Sequence, residues 1–456
     1  MASKRGPNAP ISPPPVKRRL HSGTTKSAVA NFFTPASQKP KDKTVWTERA
    51  PNEDTPATLL VGRYQPEAKE DGPTVKRRKI AAFDLDSTLI VTLSKKKFPD
   101  SATDWKWWHS SVVTKLKSLY GEDGYRVVIV SNQAGLTLHP DPKAKTPKAQ
   151  LTTRVSAFKQ KCSALFEQLD FPISIYAATE KDIFRKPRPG IWREILDDYD
   201  LQSGEVDMDN SFYVGDAGGR KLEVKGGDGS VVAAKDFSCS DRNFAHNVGL
   251  KFLTPEEHFL GLQPRDFHRD FDLEHFPFDD TLSTAAAPPI FERKSAQELV
   301  VFCGSPGSGK STFYEKYLKP LDYERINQDN LKTRDKCVQA ARGLLEEGSS
   351  VVIDNTNADP ETRAIWIGLA KKYNIPARCV WFRTPKHICE HNDAVRALNK
   401  PMNPENRQGL PTMALTGFAA RFKEPKEKEG FEDIVPLDFV FRGTKEEHDI
   451  WARYWL

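Results

Sequence analysis

The 456-residue sequence predicts an α/β protein: two doubly wound parallel-sheet units in tandem behind a disordered N-terminal tail. Three observations predict it. From about residue 43 onward, short apolar runs alternate with longer stretches of helical character. Several of these runs end in carboxylates, hydroxyls or amides, as parallel strands do where a ligand gathers at their carboxyl ends. A late apolar run, Leu299–Phe302, leads directly into a glycine-rich loop that opens a helix.

Taken in order, residues 1–42 carry Pro13-Pro14-Pro15, many Ser, Thr and Lys, and few apolar residues, and are expected to be disordered. The net charge of +6 is concentrated near this end. Residues 1–80 hold sixteen Lys and Arg against seven Asp and Glu, which leaves the rest of the chain at about −3. A nearly neutral body argues against one large nucleic-acid-binding surface. Lys17-Arg18-Arg19 and Lys76-Arg77-Arg78-Lys79 are candidate nuclear-import or phosphate-contacting clusters, and a nuclear location is expected. Val29, Phe32 and Phe33 resemble the sliding-clamp-binding peptide, with Lys26 standing where Gln is usual.

The six cysteines lack any CxxC pair, so neither a disulfide framework nor a structural zinc site is expected. His387, Cys389 and His391 match no common zinc spacing and read as ordinary residues. No window has the 18 or more apolar residues of a membrane span, and the first residues lack an apolar signal core.

Order is expected to begin near residue 43, signalled by Trp46, Leu59-Leu60-Val61 and Tyr64. Strands are predicted at Ile80–Phe83, Arg126–Val130, Ser174–Ala177 and Phe212–Val214, with helices near 109–120, 152–169 and 190–199. Residues 43–262 are read as the first domain, 263–293 as a Pro- and acid-containing linker, and 294–456 as the second domain.

The first domain is organised around Asp84 and Asp86, two residues apart at the end of a buried strand. So close a pair repels, which lets one acid ionise while the other holds a proton. Three further pieces follow. Val127–Gln133 delivers Ser131 and two amides, Arg185-Lys186-Pro187 supplies a cation, and Phe212–Asp216 adds a carboxylate. Asp84 can attack phosphorus, while Asp86 protonates the leaving oxygen and later activates water. Ser131 and Lys186 can hold the transferring phosphoryl group. Mg²⁺ can sit under Asp84, Asp216 and the Asp86 carbonyl.

This set resembles the haloacid-dehalogenase phosphohydrolase superfamily over about residues 80–245, with Ser87 where Gly is usual. A second acid normally follows Gly-Asp there; Asp236 and Asp241 are the candidates, and Asp241 is favoured. Asp84 to Ser131 spans 47 residues and Ser131 to Lys186 spans 55, which leaves no room for a large cap. An uncapped site admits phosphate on a long polymer. Trp105, Trp107 and Trp108 nearby either stack on bases or, the commoner role, anchor a helix to the sheet.

The second domain carries Gly304-Ser305-Pro306-Gly307-Ser308-Gly309-Lys310-Ser311-Thr312, a GxxxxGK[ST] loop between a strand and a helix. Its backbone N–H groups can wrap the phosphates of ATP, with Lys310 reaching the β- and γ-phosphates and Ser311 the Mg²⁺. Asp329, at the end of the predicted strand Glu324–Asp329, is the candidate to take a proton from an acceptor hydroxyl. Asp354, at the end of Val351–Ile353, can hold the Mg²⁺ shell. Arg396, on the helix after Arg378–Phe382, is the candidate lid arginine.

A phosphatase signature followed by a P-loop resembles the polynucleotide kinase 3′-phosphatase family of DNA end-repair enzymes over about residues 80–456. DLDSTLI, VSNQAG, RKPRPG, FYVGDAGGR with KDFSCSDR, FLTPEEHFL, GSPGSGKSTF, INQD, VVIDNTN and GFEDIVPLDF carry the likeness. It implies removal of 3′-phosphate and ATP-dependent phosphorylation of 5′-hydroxyl ends of DNA. A monomer is expected. Animal members begin with a phosphopeptide-binding domain, which the tail here is too short to contain. Gln328 stands where relatives often have Arg, and whether Lys332 compensates stays open. RNA ends and small metabolites are the alternative substrates.

Overall fold

A computed structural model describes residues 43–66, 76–99, 101–140, 147–225, 230–269, 271–279 and 290–456. Lys17-Arg18-Arg19 and the Val29, Phe32, Phe33 peptide lie outside the described residues. Among the described residues no helix is long and apolar enough to cross a membrane. The six cysteines are free, and Cys239 alone of them is not fully buried.

The first sheet contains β1 (Thr44–Arg49), β2 (Leu59–Tyr64), β3 (Ile80–Phe83), β6 (Arg126–Asn132), β7 (Ile173–Ala178), β8 (Phe212–Val214) and β11 (Lys251–Leu253). A hairpin of β4 (Ile90–Val91) and β5 (Lys106–Trp107) stands apart from it, as do β9 (Glu223–Val224) and β10 (Val231–Ala233). The seven strands run in the order β1-β2-β7-β6-β3-β8-β11. From β7 to β11 they are parallel, as expected, while β1 and β2 add an antiparallel edge. From β3 the chain moves outward through β6 and β7, then returns to lay β8 on the other flank. The β3/β8 boundary is therefore the switch point at which a crevice opens above an α/β sheet.

Strand alternation divides the apolar side chains between two faces. Ala81, Phe83, Val127, Ile129 and Ile175 meet the helices Val112–Gly121 and Lys148–Leu169. Ile80, Ala82, Val128, Val130 and Tyr176 meet the helices Gly190–Asp198 and Ser240–Val248. Both faces are covered, which is why these strands read as unbroken apolar runs.

The second sheet is built from β12 (Leu299–Cys303), β13 (Tyr323–Ile326), β14 (Ser350–Ile353), β15 (Ala377–Phe382) and β16 (Asp433–Leu437). These five strands are parallel and run in the order β13-β14-β12-β15-β16. Central β12 feeds the glycine-rich loop at another switch point. The strand predicted over Glu324–Asp329 stops at Ile326, because the Asn327 side chain accepts the Asp329 N–H (2.8 Å) and caps a short helix, Gln328–Leu331. Buried Arg378 ties three elements together, donating to Glu298 (2.9 Å) and Asp433 (2.8 Å).

The segment after residue 262 packs against the structured parts on either side of it. Arg269 donates to Asn243 (3.0 Å), Phe271 lies against His391, and Leu273 enters a cluster with Ile388, Val395, Trp451 and Trp455. The chain's last turn reaches back to the first sheet's helices. Asn247 exchanges two hydrogen bonds with the Tyr454 backbone, and Arg188 donates to the Trp455 carbonyl (2.9 Å).

Candidate active sites

Asp84 leaves the end of β3 directly beside β8, and its N–H is held by the Val214 carbonyl (2.8 Å). The Lys186 ammonium, 3% exposed, reaches Asp84 (2.7 Å), Asp241 (2.8 Å), the Val130 carbonyl (2.8 Å) and the Tyr213 hydroxyl (2.6 Å). Burial alone would favour neutral amine, but Asp241 and Asp84 hold the Lys186 pKa above its usual value. Asn132, at the end of β6, fixes the Lys186 backbone by donating to its carbonyl (3.0 Å) and accepting its N–H (2.9 Å).

Ligand oxygens of Asp84, Asp216 and Asp241 all lie within 4.8 Å of one another. Burial, with repulsion among the three acids, raises Asp84 well above the carboxylate range and Asp216 to about 7. Three hard oxygen donors crowded this closely fit a divalent cation such as Mg²⁺, whose charge would favour the ionised forms. Of the two acids left open by the sequence, Asp241 is the one in this cluster. Asp236 instead pairs with Arg220 (2.9 Å) and accepts the Gly218 and Arg220 N–H groups. Gly215 makes room for that arrangement, since a β-carbon there would stand 2.3 Å from the Asp241 carboxylate.

Ser131 is buried at the end of β6, and Gln133 Nε2 donates to its hydroxyl (2.9 Å) and to Asp86 Oδ2 (2.6 Å). Asp86 is more exposed, at the rim of the crevice. Ser87 after it has φ of 63°, a left-handed conformation that explains why glycine is usual there. Trp105, Trp107 and Trp108 pack against the core face of the sheet, with Trp107 Nε1 donating to Gln168 (2.8 Å). Anchoring is the role their contacts support.

In the second unit, Gly307 and Gly309 have φ of 77° and 93°. At Gly307 a β-carbon would stand 2.3 Å from the Cys389 carbonyl. Asn392 donates to the Gly307 carbonyl (2.9 Å) and Thr384 to that of Ser308 (3.1 Å), so the strand–helix unit after β15 braces the loop. Ser305 and Ser308 are buried and Gly304 N–H is taken by the Thr356 carbonyl (3.1 Å). Lys310 folds back onto the Gly304 and Ser305 carbonyls (3.1 and 2.6 Å), and burial lowers its pKa. Ser311 donates to Asp354 (2.9 Å), while Thr312 is exposed. The paired hydroxyl and carboxylate, beside a loop of free backbone curvature, fit a magnesium–nucleotide complex.

Asp329 is largely exposed and lies 3.3 Å from Arg407. Lys332 donates to the Asp329 carbonyl (2.7 Å), and the Gln328 N–H is accepted by Asn355 (2.8 Å). A polar cavity of about 250 Å³ opens here, lined by Gln328, Arg334, Asn355, Thr362 and Arg421 among others. Arg396 pairs with Asp393 on its own helix. The arginine that reaches the loop's hydroxyl is Arg325, bonded to Ser311 (2.9 Å) and Asp354 (2.6 Å).

Comparison with known proteins agrees with both halves. A family model described as polynucleotide kinase 3 phosphatase matches residues 79–259, and one described as an AAA domain matches 299–339 and 332–425. A bifunctional polynucleotide phosphatase/kinase of Schizosaccharomyces pombe is 39% identical over 400 residues, covering 87% of this chain and 86% of that protein. The chain belongs to the bifunctional polynucleotide phosphatase/kinase family. A polynucleotide 3′-phosphatase of Saccharomyces cerevisiae is 28% identical over 223 residues, 40% of this chain and 87% of its own. The crystal structure of a fungal RNA kinase overlaps 34% of this chain and 82% of its own, at 17% identity and a TM-score of 0.26.

Within this phosphatase/kinase, Tyr213, Lys161 and Arg325 join the candidate sites without having been singled out from sequence, and Asn132, read there as one of two strand-end amides, joins as the partner of the Lys186 backbone. Tyr213 sits in strand text whose apolar character hides its hydroxyl. Lys161 did leave a signal. It is a charged residue on the face of the Lys148–Leu169 helix that carries Phe158, Cys162 and Leu165.

Proposed function

We propose that this protein repairs the ends of broken DNA strands, removing 3′-phosphate at the first site and phosphorylating 5′-hydroxyl at the second. The observation that carries the reading is Asp84, buried between Lys186 and the Asp216/Asp241 pair, with Asp86 at the rim.

An Asp84 oxygen attacks phosphorus, and the bond from phosphorus to the 3′-oxygen breaks. Asp86, entering as the carboxylic acid, gives its proton to that departing oxygen. Water then attacks the aspartyl phosphate, Asp86 takes the water's proton, and inorganic phosphate leaves with Asp84 regenerated. Ser131 and Lys186 hold the phosphoryl oxygens throughout. Mg²⁺ bound by Asp84, Asp216, Asp241 and the Asp86 carbonyl would offset the charge on the transferring phosphoryl group.

At the second site the loop from Gly304 to Thr312, including Ser305, Gly307, Ser308 and Gly309, takes the phosphates of ATP. Lys310 spans its β- and γ-phosphates, and Ser311 with Asp354 would hold Mg²⁺. Asp329 accepts the proton of the 5′-hydroxyl as its oxygen attacks the γ-phosphorus, and ADP leaves. Arg396 is the proposed lid cation. Residues 43–262 and 294–456 are the proposed bodies of the two activities. A nuclear location follows from the DNA substrate and the basic clusters.

The test is one assay of the full chain with Mg²⁺ and ATP, on matched DNA and RNA oligonucleotides bearing 3′-phosphate and 5′-hydroxyl. Both ends of the DNA are expected to be converted. Far faster hydrolysis of sugar phosphates, or turnover of the RNA alone, would overturn the reading.

A further inference from the structure

The Lys161 side chain is 7% exposed on the apolar face of the Lys148–Leu169 helix, an expensive place for an ammonium unless it is paired. Its partner is Asp86: Nζ stands 3.4 Å from Oδ1, an ion pair when Asp86 is the carboxylate and an N–H···O hydrogen bond when it is the acid. The other oxygen, Oδ2, accepts from Gln133 Nε2 at 2.6 Å. The Asp86 side chain is otherwise half exposed, following a short strand and preceding a left-handed Ser87, so nothing in its own segment selects a rotamer.

We propose that Lys161 is a positioning residue for proton transfer to the 3′-oxygen, holding the Asp86 carboxyl from one side while Gln133 holds it from the other. Each carboxyl oxygen has a second lone pair. The group can thus be oriented through one pair and exchange its proton through another. Lys161 comes from a helix, not from any strand end that supplies the reacting groups. The inference rests on the reading of Asp86 as the proton carrier.

Leaving-group dependence separates positioning from other roles. A nucleoside 3′-oxygen leaves poorly without a proton, whereas an acidic phenol leaves unaided. The measurement is kcat/KM, which reports the step in which the leaving group departs, for a 3′-phosphorylated oligonucleotide and for p-nitrophenyl phosphate. Lys161→Met in the full chain is expected to lose about tenfold to a hundredfold on the oligonucleotide. On p-nitrophenyl phosphate it should stay within about threefold of the native chain. Lys161→Arg, which keeps a cation, should recover part of the oligonucleotide rate. Kinase turnover and the thermal midpoint report folding. If Lys161→Met does not fold, Lys161→Gln carries the same expectation. Equal losses on both substrates would assign Lys161 to the phosphoryl group or to packing and overturn the proposal. Asp86→Asn separates the two readings: if it too loses equally on both substrates, Asp86 is not the proton donor. If only Asp86→Asn is selective, the positioning role of Lys161 alone fails.

Discussion

At the scale of single residues, the two sites draw on buried charge in different ways. Lys186 is surrounded by acids that keep it cationic, while Lys310 rests on carbonyl dipoles and is held by burial below its usual pKa. Each can therefore be disabled without disturbing the other. Asp84→Asn removes the proposed nucleophile but fills the same space. It is expected to reduce 3′-phosphate release by on the order of 10³-fold or more, with 5′-kinase turnover within about twofold. Lys310→Ala should do the reverse, reducing kinase turnover by on the order of 10²-fold or more. Separate steady-state assays on one oligonucleotide check both, and joint loss in a folded variant would contradict two independent sites. The strand-end residues Asp84, Ser131 and Asp216 were legible because each follows a recognisable apolar run. The partners that hold them were not. Asn132 touches Lys186 across 54 residues, and no spacing rule connects them.

Elements position these residues through backbone that sequence describes only partly. The glycine-rich loop was readable because its curvature requires glycine at particular steps, and Gly307 and Gly309 do adopt positive φ. Gly215 carries an equally strict requirement for a different reason, the Asp241 carboxylate packed over its α-carbon. Gly215→Ala is expected to displace Asp241 and reduce phosphatase turnover by on the order of tenfold or more, with kinase turnover unchanged. Recovery of part of the loss at raised Mg²⁺ would be measured alongside. An unchanged phosphatase would mean that Asp241 is not needed where it sits. Helix and strand positions followed from periodicity, with the helix near 152–169 beginning a turn earlier, at Lys148. The antiparallel strands β1 and β2 escaped a strand reading, as did β11, β16 and the short strands β4, β5, β9 and β10. The text of β1, interrupted by Thr, Glu and Arg, lacks the continuous apolar character of strands covered on both faces.

Across the whole molecule, the last residues join parts that the sequence presents as separate. His391 and Trp451 pack together (Nε2 to the Trp451 carbonyl, 2.8 Å), Trp451 donates to Asn392 (2.7 Å), and Asn392 holds the glycine-rich loop. Tyr454 and Trp455 then bond to Asn247 and Arg188 beside the Lys186 segment. Burial lowers His391 to about 4, so it is neutral in the fold and takes up a proton more readily when unfolded. Its contribution is full above pH 6.5 and is lost as pH falls toward 4, by an amount on the order of 3 kcal/mol. Urea midpoints should decline over that window, and His391→Asn should flatten the decline. Deleting residues 1–42 should leave both turnovers on short oligonucleotides within about twofold. A larger loss would place the tail in a site. If the tail peptide binds a sliding clamp, Phe32→Ala with Phe33→Ala should abolish capture of the clamp by the full chain.

The sequence by itself determined the order of the two units, the strand ends that bear Asp84, Ser131, Asp216 and Asp354, and the loop that ends in Lys310. These are local facts, because a strand, its terminal residue and the following turn are contiguous in the chain. Tertiary structure decided which side chains converge. It placed Asp241 rather than Asp236 beside Asp84, brought Lys161 to Asp86, and set Arg325 on Ser311. Those pairings arise when strands distant in sequence become neighbours in a sheet and helices close over them. A buried charge then takes whichever partner the packing brings within reach, since leaving it alone costs more than any rotamer preference.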